Sequence, residues 1–271
     1  MRFGLIIVGD EILSGRREDK HLAQAIELLK ARGLAVAWAR YLGDEPDRLA
    51  ATLREAFAGA EPVVCFGGIG ATPDDHTRQA AAAALGRPLE LHPEAKALIQ
   101  QRMREVAAEQ GQPFEPERAD NLQRLQMGVF PAGAEIIPNP YNRIPGFRCT
   151  AEGGATVHFL PGFPVMAWPM LAWLLDTHYA AHFGTARQVE RALIVYGAME
   201  AALTPLMERI EADHPAVRIF SLPSVDHPVH GRHIELGVKG TEEASAAAYA
   251  ALRGGLQALA CVTGPESVRE A

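Results

Sequence analysis

The chain has 271 residues, more than the roughly 100–200 of one ordinary domain, so one large domain with a smaller companion is expected. Hydrophobic residues make up 48% and charged ones 22%, a balance that excludes intrinsic disorder. The formal charge of −7, with no run of Lys or Arg, argues against nucleic acid or an anionic membrane surface as partner.

Three widely spaced cysteines, Cys65, Cys149 and Cys261, fit neither a zinc motif nor a disulfide framework and point to a reducing compartment. The opening MRFGLIIVGDEIL is a short apolar run broken by acids, unlike a signal peptide. No stretch of about 18 apolar residues follows, so a cytoplasmic location is expected.

In chain order, the apolar run Phe3 to Val8 predicts a strand buried on both faces. Leu22, Ala25, Ile26 and Leu29 recur at helical spacing from Asp19 until Gly33. Leu34 to Leu42 predicts a second strand, Asp47 to Ala60 a helix and Val63 to Phe66 a third strand, which runs into Gly67-Gly68-Ile69-Gly70 and a helix starting near Asp74. This alternation predicts right-handed crossovers and a three-layer α/β/α sandwich with a mostly parallel sheet.

Helices over Pro93 to Gln110 and Glu117 to Met127 follow, then Glu135 to Pro138, the loop NPYNRIPGF, a strand at Thr156 to Leu160, the turn PGFP and an apolar helix from Val165 to about His182. A linker is expected over Gly184 to Glu190. The remainder reads strand, helix, strand, strand, helix, a small antiparallel sheet covered on one face by two helices. The domains expected are therefore 1–183, α/β/α, and 184–271, a small α+β domain.

Ligands bind open parallel sheets at the carboxyl ends of the strands, where loops and helix N-termini converge. Three segments map there: GDEILSG (9–15), Gly43-Asp44 and FGGIGATPDDHT (66–77). The third has three glycines whose amides can approach an anion, although glycine-rich turns also occur for steric reasons alone. Thr72 or Asp74 capping a helix is the plainer reading of the residues that follow. Asp10, Glu11, Asp44, Asp74 and Asp75 would nevertheless gather around one phosphate-sized cavity. Clustered carboxylates facing an anion need a cation between them, and an all-oxygen set suits a hard, magnesium-like divalent ion.

GDEILSGRREDKH, FGGIGATPDDHTRQA, NPYNRIPGF and LPGFP, in this order, resemble the motif series of the N-terminal molybdopterin-binding domain of competence/damage-inducible protein A (CinA), which is related to molybdopterin adenylyltransferases. The resemblance covers Phe3 to about Leu175. It does not reach the nicotinamide mononucleotide deamidase domain of full-length CinA, because the chain ends first, and deamidase activity is not expected.

By this resemblance Asp44 and Asp75 are the acids expected to organise metal and phosphoanhydride, with Asp10 and Glu11 beside them as metal ligands; Asp74, next to Asp75 in the acidic cluster, is a further catalytic candidate. Gly67, Gly68, Gly70 and Thr72 form the phosphate cradle, while Ser14, Gly15, Pro161 and Gly162 close around the pterin or nucleotide. Two positions depart from the family pattern. Asp19 is followed by Lys20 and His21 where relatives have threonine and asparagine, and Arg143 stands where relatives often have a small residue. Arg143 is either a bidentate phosphate contact or a solvated side chain.

The function expected is metal-dependent hydrolysis of a nucleotide phosphoanhydride, ADP-ribose by the resemblance. Adenylyl transfer to molybdopterin and a non-catalytic nucleotide- or pterin-binding module are the alternatives. The resemblance also implies a homo-oligomer. His227, His230 and His233, loosely spaced around Pro228 and Gly231, fit a turn better than a metal site.

Overall fold

A computed structural model describes residues 1–184 and 188–270. The chain divides into two compact units, Met1–Phe183 and Gly184–Ala271. Of the expected linker, residues 185–187 lie outside the described residues. Among the described residues no helix is long and apolar enough to cross a membrane.

The first unit runs β1 (Arg2–Val8), α1 (Asp10–Leu13), α2 (His21–Lys30), β2 (Ala35–Leu42), α3 (Pro46–Ala58), β3 (Val63–Phe66), α4 (Thr77–Leu85), β4 (Leu89–Leu91), α5 (Pro93–Glu109), α6 (Ala119–Leu125), β5 (Val129–Pro131), β6 (Glu135–Ile137), β7 (Gly146–Thr150), β8 (Thr156–Leu160) and α7 (Pro164–His178). Six strands form one sheet in the order β2-β1-β3-β8-β7-β6. The first four are parallel, whereas β7 and β6 run antiparallel at one edge. The result is the three-layer α/β/α sandwich that the alternation predicts, with a mixed rather than uniformly parallel sheet.

Both sheet faces are buried, which is why β1 and β3 read as unbroken apolar runs. The strand period of two sends Ile6, Val8, Val63 and Cys65 into a core with Leu49, Leu53 and Phe57 of α3. Phe3, Leu5, Ile7, Val64 and Phe66 go to the opposite core, with Ala25 and Leu29 of α2 and Leu171 and Leu174 of α7. The rings of Phe130, Phe147 and Phe159 stack at centroid spacings of 4.5 and 4.4 Å, fastening the antiparallel edge to the parallel core. Because β1, β2, β3 and β8 are parallel, the loops after them open on one edge of the sheet.

The second unit runs β9 (Gln188–Tyr196), α8 (Glu200–Asp213), β10 (Arg218–His227), β11 (Gly231–Thr241), α9 (Glu242–Ala258) and β12 (Val262–Glu270). Its sheet has the order β10-β11-β9-β12, antiparallel throughout. This is the split βαβ arrangement of ferredoxin-like folds. Leu193, Val195, Leu236 and Val238 pack against Leu203, Leu206, Leu252 and Leu256 of the two helices. The sequence reading omits β12, whose Gly264 and Pro265 sit where the register shifts between Thr263 and Glu266. Glycine, proline and a bulge are tolerated because β12 is an edge strand.

Candidate functional site

The helix α4 begins at Thr77, three residues later than the sequence reading placed it, and Asp75 is the reason. Its Oδ1 accepts from Gly70 N at 2.9 Å and its Oδ2 from Thr72 N at 2.8 Å, with the Thr72 hydroxyl donating to Oδ2 as well. These bonds curl residues 70–75 into a tight loop before the helix can start.

Gly67 and Gly68 precede that loop with φ of +99° and +69°. A Cβ on Gly67 would lie 2.4 Å from Val8 O, and one on Gly68 2.1 Å from the Thr77 hydroxyl oxygen, so both positions require glycine. The loop's carbonyls are held from beneath by Arg78, only 4% exposed. Its Nη1 donates to Ile69 O and, at 2.6 Å, to Gly70 O. Burial lowers the guanidinium's pKa while the Asp75 charge raises it. Gln123 on α6 donates to Ala71 O at 2.9 Å. With their carbonyls so engaged, the amides of Gly68, Ile69 and Ala71 have no acceptor among the described residues.

The facing wall is acidic. Asp10 N donates to Asp44 Oδ2 at 3.0 Å and Asp44 N returns a bond to Asp10 Oδ1 at 3.3 Å, a reciprocal clasp joining the loops after β1 and β2. Gly43 leaves room for it, since a Cβ there would lie 2.4 Å from Asp10 Oδ1. Burial pushes the Asp44 carboxyl above its ordinary range, the Asp10 amide pulls it back, and the charges of Asp10, Glu11 and Asp74 push it up again.

These walls enclose a cavity of about 420 Å³, within the range of small-molecule sites. Of the residues singled out from sequence, Glu11, Asp44, Gly67, Gly68, Gly70, Thr72, Asp74, Asp75, Pro161 and Gly162 line it. Ser14, Gly15 and Asp10 do not. Arg143 is not brought there either: its Nε donates to Glu105 Oε1 at 2.8 Å, and it borders a separate depression with Leu98 and Trp173. A contact from Arg143 to a phosphate in this cavity would require it to leave that ion pair.

The five acids do not make a resident metal centre. Among the described residues no group of three or more His, Cys, Asp or Glu side chains is arranged to hold an ion. The oxygens of Asp75 are engaged with the glycine loop, and Asp10 and Asp44 are engaged with each other's amides. Asp74 is hydrogen-bonded to the Thr72 hydroxyl and to its own amide, and Glu11 faces the Arg17 guanidinium at 3.8 Å. The donor set therefore does not fit the magnesium-like ion expected from sequence, and no chemistry is routed through one.

The site also contains residues that sequence reasoning did not assign. Arg17 lines the cavity, its guanidinium 6.0 Å from the Phe163 ring centre and 3.8 Å from Glu11. Asn139, nearly buried, shapes the loop before β7 by donating to Asn142 Oδ1 at 2.8 Å and Ile144 O at 2.9 Å. His21, 5% exposed, hydrogen-bonds Gly162 O through Nε2 at 3.1 Å and stacks on Phe66 with ring centres 4.6 Å apart. Burial holds its pKa below the ordinary histidine range, against the raising effects of Gly162 O and Asp19. The departure of Lys20-His21 from the family pattern was the available signal for this histidine. Asp19 accepts the amides of His21 and Leu22 and so caps α2.

The cavity lies at the carboxyl ends of parallel strands, the place where open α/β/α sheets take small ligands, with apolar Ile144, Phe163 and Met166 on one wall. The family model described as probable molybdopterin binding domain matches residues 4–180, and the chain belongs to that family. It is 31% identical over 252 residues to a protein of Pyrobaculum calidifontis, covering 92% of each. It is 30% identical over 256 residues to a CinA-like protein of Geobacter metallireducens, covering 94% of this chain and 58% of that one. With a CinA-like protein of Anaeromyxobacter sp. (strain K) the figures are 32% over 212 residues, 77% and 49%. The chain thus spans about half the length of these CinA-like relatives. The crystal structure of CinA from Thermoplasma acidophilum superposes with a TM-score of 0.55 at 28% identity, covering 65% of this chain and 98% of that one.

Proposed function

We propose that the first unit is a receptor for a phosphate-bearing pterin of the molybdopterin class or a related nucleotide. The observation that carries this reading is the set of amides of Gly68, Ile69 and Ala71, which have no acceptor among the described residues while Asp75 and Arg78 hold the rest of the loop by hydrogen bonds. Preorganised N–H groups are what an anion needs at no reorganisation cost. The ligand's phosphate takes these amides, and its ring system lies against Ile144, Phe163 and Met166. Arg17 supplies a cation at the rim.

Adenylyl transfer to the pterin would use the same seat, with the nucleotide's anhydride beside it and water excluded. Hydrolysis of ADP-ribose has less support, because it asks Asp44 and Asp75 to organise a cation while both already hold backbone amides.

Calorimetric titration of the full chain with molybdopterin, and separately with ADP-ribose, tests the reading. Binding without turnover is expected. Replacement of Gly68 by Ala should weaken it at least about tenfold, since the left-handed backbone costs roughly 1 kcal/mol and the new methyl meets Thr77. AMP joined to the pterin in the presence of ATP would make the protein a transferase. Release of AMP and ribose 5-phosphate from ADP-ribose would overturn the receptor reading.

A further inference from the structure

The second unit gathers three histidines at the tip of the β10–β11 hairpin. His227 ends β10, His230 lies in the turn and His233 is on β11. Their ring centres are 5.1, 5.2 and 5.6 Å apart. Imidazoles bound to one ion at a metal–nitrogen length of about 2.0–2.1 Å have centres roughly 5–5.5 Å apart at tetrahedral or trigonal angles.

The other ring nitrogens are already engaged as ligating histidines require. Gly231 O can only accept, so His233 Nδ1, 3.0 Å away, carries its proton and leaves Nε2 with a free lone pair. His230 Nδ1 lies 2.9 Å from the Tyr196 hydroxyl, which fixes its ring. His233 is only 7% exposed, whereas histidines of a merely solvated turn would all be open to water.

His227 differs. Its Nδ1 accepts long 3.2 Å bonds from Val229 N and His230 N. In this conformation the three rings do not aim their nitrogens at one point, consistent with the lack of any chelating group among the described residues. His227 is exposed and can turn once those two weak bonds are released.

We propose that this hairpin binds one borderline divalent transition-metal ion, zinc being the type, through Nε2 of His230 and His233, with His227 swinging in as third ligand and Tyr196 orienting His230 from behind. An imidazole set selects zinc, nickel or copper over magnesium or calcium. The ion braces the turn end of the hairpin, where the β10–β11 register shifts between Ser224 and His227.

The full chain, without a histidine tag and stripped of metal by a chelator, is titrated with zinc against a colorimetric competitor. One ion per chain is expected. Tyr196→Phe should weaken it about tenfold, the usual cost of losing an orienting partner, and His230→Ala or His227→Ala by more, with urea midpoints reporting that each variant folds. X-ray absorption of the zinc complex should show an imidazole-rich shell. No uptake at about 100 µM free zinc overturns the proposal. So does stoichiometric binding that survives replacement of all three histidines by Asn, because the chain has 10 histidines and the ion would then sit elsewhere.

Discussion

The two polar walls of the cavity contain the same residue type and treat it in opposite ways. On the loop wall, Asp75 faces backbone donors, so its charge is neutralised locally by Gly70 N and Thr72 N and assisted by the charge of buried Arg78. On the opposite wall, Asp44 has one amide in return, and its carboxyl is pushed upward first by burial and then by the charges of three acidic neighbours. A carboxylate at such a site is therefore governed by how deeply it is buried and by the N–H groups aimed at it. In the proposed receptor Asp75 builds the anion seat, and Asp44 limits how much negative charge that seat can take.

The sharpest way to break this contrast is at Arg78. Arg78→Met keeps the apolar stem but leaves Ile69 O and Gly70 O unsatisfied in a buried setting, which should cost about 2–3 kcal/mol in urea unfolding and abolish ligand binding. Lysine at the same position should recover only part of this, since its ammonium ends one atom nearer the backbone than the single Nη1 that makes both bonds. Wild-type stability in Arg78→Met would mean that the loop holds its shape by itself. The next effect is Asp75→Asn: an amide preserves one acceptor and turns a donor toward the second N–H, so a loss of about 1–2 kcal/mol is expected, with binding weakened in parallel. If catalysis of a phosphoanhydride reaction were lost while stability and binding stayed intact, Asp75 would be a reacting group and the contrast between the walls would fail.

Much of the first unit was legible because its strands are apolar runs and its loops lie at predictable strand ends, and ten of the singled-out residues do line one cavity. What stayed hidden depends on pairings that spacing does not encode. Asp75 and the start of α4 could not be told apart from a helix cap, since both put an acid just before apolar helical positions. Arg78 was not singled out from the sequence, and it is turned inward under the glycine loop. Strand β7 was missed: its Gly146 and Phe147 fell at the end of the loop NPYNRIPGF, and Arg148 blurs the alternation of the three residues that follow. In the second unit, β12 is broken by Gly264-Pro265, and the three histidines stand at three-residue intervals across a turn, a pattern that gives no sign of His233's burial.

The smallest expected effect is also the one that separates anion binding from metal chemistry most directly. Asp44 has a folded-state pKa raised above its unfolded value. The stabilising contribution of its protonation is therefore complete below the unfolded pKa, near 3.8, and is lost as pH rises through the higher folded value. Asp44→Asn removes that loss while its side-chain oxygen can still accept from Asp10 N. The variant should melt higher than wild type at pH 7 by roughly a few tenths of a kcal/mol, discounted for solvent screening of a partly exposed group, and the gap should close toward pH 4. Thermal melts at the two pH values check the sign. The same variant should bind the phosphate ligand more tightly, because a like charge facing the anion is gone. Weaker binding in Asp44→Asn, restored in wild type only when a divalent cation is added, would show instead that the acid wall works through a cation carried in with the ligand.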